Sequence, residues 1–100
     1  MGFTKENIMV HTRFEVTILE PLIDIEALGL LMAAENKKWD INVVASGRII
    51  VIEGPKTIKP IIKFLAIMGL GDDVGLIKKI VEYEPDDYSK EFVEYNQNDL

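Results

Sequence analysis

Glu20, Asp24, Asp72 and Asp73 are the side chains whose type and setting best fit a chemical task, because all four are carboxylates in segments that read as loops or element ends. Carboxylates and loop carbonyls are the ligands that hard cations select, and calcium accepts irregular sets of about six to eight oxygens. Like charges brought together repel, and a bound cation offsets that repulsion. The same residues also have plain structural uses: Asp24 as a helix N-cap, Glu20 as a strand end, Asp72 and Asp73 as a solvated turn. A second acidic run, Glu82, Glu84, Asp86 and Asp87, leads into the carboxy-terminal tail and reads as solvated charge.

Catalysis needs a nucleophile, a base and an orienting group within reach of one another, and this chain is poor in all three. His11 is the single histidine and falls on the polar phase of an alternating stretch; Ser46 reads as a turn residue and Ser89 as part of the tail, neither beside a base. The absence of cysteine excludes thiolate catalysis, disulfides and zinc–thiolate sites. No Walker loop, dinucleotide glycine fingerprint or EF-hand loop occurs, and Gly69-x-Gly71 fits the end of a helix. The chain is therefore expected not to be an enzyme.

These residues are carried by 100 amino acids, room for one small domain with one core. Hydrophobic residues make up 48% and charged ones 28%, the composition of a globular chain. Lysine and arginine number 11 against 17 acids, a net charge of −6 that speaks against nucleic acid and anionic membranes as partners. The longest apolar run, near residues 27–34, is far short of the roughly 20 residues that a bilayer span requires. Met1 to Asn7 lacks the basic and apolar regions of a signal peptide and is expected to be a flexible terminus, so a cytoplasmic location is expected.

Residues 8–19 alternate, with Ile8, Val10, Thr12, Phe14, Val16 and Ile18 on one face, which predicts a strand with one buried side. Asp24 is then expected to cap a helix over 24–37, with Ile25, Leu28, Leu31 and Met32 as its apolar stripe and Gly29 allowing close approach to the sheet. Trp39 to Ala45 alternates again, and Ser46-Gly47 predicts a tight hairpin into the apolar strand 48–53. A second helix is expected over 57–69, capped by Thr57 and closed by Gly69-Leu70 in a Schellman turn. Val74 to Glu84 reads as a last strand with a bulge or an edge position, since neither of its phases is purely apolar. In the tail, 86–100, Tyr88, Phe92 and Tyr95 recur at helical spacing and predict a short helix folding back on the sheet.

The order β-α-β-β-α-β predicts an α+β domain over 8–85 that resembles the ferredoxin-like two-layer sandwich, an antiparallel sheet of order 4-1-3-2 with both helices on one face. That architecture hosts many unrelated functions. RNA readers built on it carry stacking aromatics on the third strand, where this chain has Ile49-Ile50-Val51-Ile52. The topology does bring three loops to one edge, carrying Glu20 and Asp24, Ser46-Gly47, and Asp72 with Asp73. The expected function is thus a small non-catalytic protein holding a weak divalent cation, calcium, on those four carboxylates. The alternative is an interaction or regulatory module that binds a protein partner or a second copy through a strand edge or the uncovered sheet face, to which Val44, Ile50, Ile52 and Ile80 are assigned.

Overall fold

A computed structural model of the chain describes residues 9–84 and 90–96. The segment 1–7 and residues Asp86, Asp87 and Tyr88 lie outside these. Among the described residues the elements are β1 (Met9–Ile18), α1 (Asp24–Glu35), β2 (Asp40–Val44), β3 (Ile49–Glu53), α2 (Lys59–Ile67), β4 (Val74–Glu84) and β5 (Lys90–Asn96). The five strands form one antiparallel sheet in the order β2-β3-β1-β4-β5.

The alternation in β1 reads out directly as burial. Phe14, Val16 and Ile18 are buried, while His11 and Thr17 are exposed and Arg13 and Glu15 lie between. Register carries this phase outward: Val16 lies opposite Ile50 of β3 and Ile77 of β4, and Phe14 lies opposite Ile52. Ile41 of β2 pairs with Ile52, so a row of branched side chains crosses the sheet on one face. Leu30 and Ala34 of α1 and Ile61, Phe64 and Leu65 of α2 close over that face to make the core.

α2 ends in the turn that its sequence calls for, whereas α1 stops at Glu35, short of the expected 37, so that Lys37 and Lys38 lie beyond its last turn. Gly69 takes a left-handed φ of 79°, its N–H donates to Ala66, and the Leu70 N–H reaches back to Leu65 at 2.8 Å, which folds Leu70 into the core. α1 ends the same way with Lys38 in the left-handed position (φ 59°) and the Trp39 N–H bonded to Ala34, which sets the Trp39 ring edge-on to Phe64 with centroids 5.4 Å apart. At the start of α1 the cap is Ile23, not Asp24, and no side chain accepts from the amides of the first turn; instead the Glu26 carboxylate reaches back to accept the Ile23 N–H at 3.0 Å. α2 starts after Ile58 rather than Thr57, with Pro60 in its first turn.

Three further expectations are corrected. The sheet has a fifth strand beyond β4, so the four-strand order 4-1-3-2 does not describe it; read from its other edge the order is 5-4-1-3-2. The short tail helix is replaced by β5, which pairs with β4 from Leu76–Asn96 to Glu82–Lys90. An unpaired β4 edge offers a ladder of donors and acceptors that a marginal seven-residue helix cannot match. Ile50 and Ile52 lie under the helices, fully buried, and the uncovered face of β3 presents Ile49 and Val51 instead. The mixed phases of β4 have a local cause: its register against β1 shifts at Thr17/Ile18, and Lys79 shares the row of Phe14, its Nζ 6.0 Å from that ring.

Gly47 and Gly29 make opposite demands. A Cβ on Gly47, at φ 88°, would lie 2.4 Å from the Leu22 carbonyl oxygen, whereas one on Gly29 would meet only the Met68 Cε at 4.0 Å, so Gly29 is not what brings α1 to the sheet. Gly29→Ala is expected to raise unfolding free energy by about 1 kcal/mol, and Gly47→Ala to lower it by about 1–3 kcal/mol, both read by denaturant titration.

Candidate functional site

The three loops expected to converge do so through their backbones. Beyond β1, the Leu19 N–H donates to Asp73 at 2.7 Å and the Leu22 N–H to Gly47 at 2.8 Å, while the Ile18 N–H donates to Arg48 at 2.8 Å. The hairpin between β2 and β3 is a four-residue loop, 45–48, with Ala45, Ser46 and Gly47 all at positive φ, rather than a two-residue turn. Glu20, Asp24 and Asp72 are exposed and Asp73 is half-buried. Among the described residues no group of three or more histidine, aspartate or glutamate side chains is gathered to hold a metal ion. The four carboxylates thus share an end of the molecule, tied together by main-chain bonds, without a common coordination centre.

His11 stands exposed near the opposite end of β1, beside an open cleft of about 230 Å³ that Thr12, Glu53, Gly54 and Lys56 also line. The sheet face away from the helices is laced with charge among the described residues, around a buried Ile80 that lies opposite Arg13. Arg13 bonds to Glu82 across the strands and to Glu15 on its own strand at 3.5 Å, and Lys78 approaches Glu94 at 3.7 Å. The hydrogen bond to Glu82 raises the Arg13 guanidinium above its ordinary value; partial burial opposes this, and the charge of Glu82 and the bond to Glu15 add to it. A cation with a raised folded value contributes its stability at all pH below the usual arginine range and loses it only above that, so Arg13 makes no pH dependence near neutrality. Both side chains are about a third exposed, and such a pair contributes about 0–1 kcal/mol.

α1 carries the feature that the sequence pattern concealed. Its apolar residues occupy every side: Leu30 and Ala34 are buried against the sheet, while Ile25, Leu28 and Met32 are 72%, 55% and 61% exposed and Leu31 is 40% exposed. The stripe expected in the core therefore faces out. Small residues decide the matter, since Ala27, Ala33 and Ala34 on the inward half let the helix axis come close to the sheet, which the bulkier outer half would prevent. Ile23, 62% exposed, extends the apolar surface toward the amino-terminal end of the helix. A shallow cleft of about 130 Å³ lined by Glu26, Gly29, Leu30, Met68 and Leu70 lies along the side of α1 toward α2.

Among the described residues no helix is long and apolar enough to cross a membrane. The chain matches no family model, no curated protein and no solved structure.

The inward and outward halves of α1 are expected to respond differently to truncation. Leu30→Ala should lower unfolding free energy by about 2–5 kcal/mol, the range for a buried leucine. Leu28→Ser should change it by no more than about 0.5 kcal/mol, as for an exposed position. Parallel denaturant titrations of the two variants check this.

Proposed function

We propose that this chain is a non-catalytic interaction module whose contact surface is the outer side of α1. The observation that carries the reading is an apolar stripe, Ile25, Leu28 and Met32, left in water on a helix whose other side already fills the core. Apolar patches of this kind mark contact sites on soluble proteins. The uncovered sheet face, laced with ion pairs, is the less favoured surface. Kinship of the scaffold with ferredoxin-like sandwiches belongs to the same reading: the run β4-β1-β3-β2 supports it, and the extra β5 departs from it.

A photo-crosslinking residue tests the module. Placed at position 28 and irradiated in extract of the host cells, it should yield adducts of discrete mass, while the same residue at the exposed Thr17 on the sheet face should not. Equal or absent labelling at both positions would refute the reading.

A second reading, a weak calcium site on Glu20, Asp24, Asp72 and Asp73, is supported by the main-chain bonds that hold their three loops together. Irregular sites of this type bind on the order of 10⁻⁴ to 10⁻³ M, with calcium favoured over magnesium because magnesium demands near-octahedral geometry. Calcium titration should then move the amide resonances of 20–24, 46–47 and 71–75 together and saturably, and Asp72→Asn with Asp73→Asn should abolish the effect. Diffuse, unsaturable shifts over every acidic stretch would mean counterion screening and remove this reading.

A further inference from the structure

We draw no further inference here: the strongest candidate, the open cleft beside β1 lined by His11, Thr12, Glu53, Gly54 and Lys56, carries nothing, because its exposed lining bears both signs of charge and nothing in the structure shows which ligand it would take.

Discussion

β1 hydrogen-bonds to β3 on one side and to β4 on the other, and its two phases are as unlike as those of a strand can be. Phe14, Val16 and Ile18 fill the centre of the core, while Arg13 and Glu15 on the other phase sit in the ion pairs of the open face. A shift of one residue would exchange these rows and drive charges under the helices, so the register of the whole sheet is pinned here. Once pinned, it places Ile50, Ile52 and Ile77 beside the β1 row and draws Ile41 in after them. The end of β1 then becomes the hub at which the hairpin and the loop before β4 are fastened by main-chain bonds.

That sheet offers its apolar row to two helices, and they answer it differently. α2 is amphipathic, burying Ile61, Phe64 and Leu65 and turning Lys59 and Lys63 outward. α1 has no polar side to turn outward except at its ends. A helix apolar all round belongs inside a protein, and half of this one is in water. From α1 the core is filled by Leu30 and Ala34, while Ile25, Leu28, Leu31 and Met32 stay exposed. This exposed apolar surface of the helix layer carries the interaction reading proposed above.

What was legible in the residues follows from how much each pattern constrains. Strict alternation in β1 admits one phase, and the Gly69-Leu70 ending admits one turn; both stand in the structure as the sequence implies. The apolar run of α1 admits several orientations, because residues at nearly every angle are apolar, and its alanines permit a closer approach to the sheet than its longest side chains do. The aromatic spacing of the tail was equally double-valued: Phe92 and Tyr95 suit a helix, yet Lys90 to Asn96 suits a strand, and only the presence of an unpaired β4 edge selects the second. The convergence of Glu20, Asp24, Asp72 and Asp73 on one end was legible from chain order. Their spacing within that end was not, because main-chain bonds, rather than the carboxylates, draw the loops together.

The outward orientation of the α1 stripe is tested most directly by solvent paramagnetic relaxation of methyl groups in a dilute sample. The methyls of Ile25, Leu28 and Met32 should relax strongly with a soluble gadolinium chelate, while those of Leu30 and Ile61 stay protected. Protection of Leu28 at the lowest concentration, with Leu30 relaxing in its place, would contradict the orientation of α1 on which the interaction surface depends.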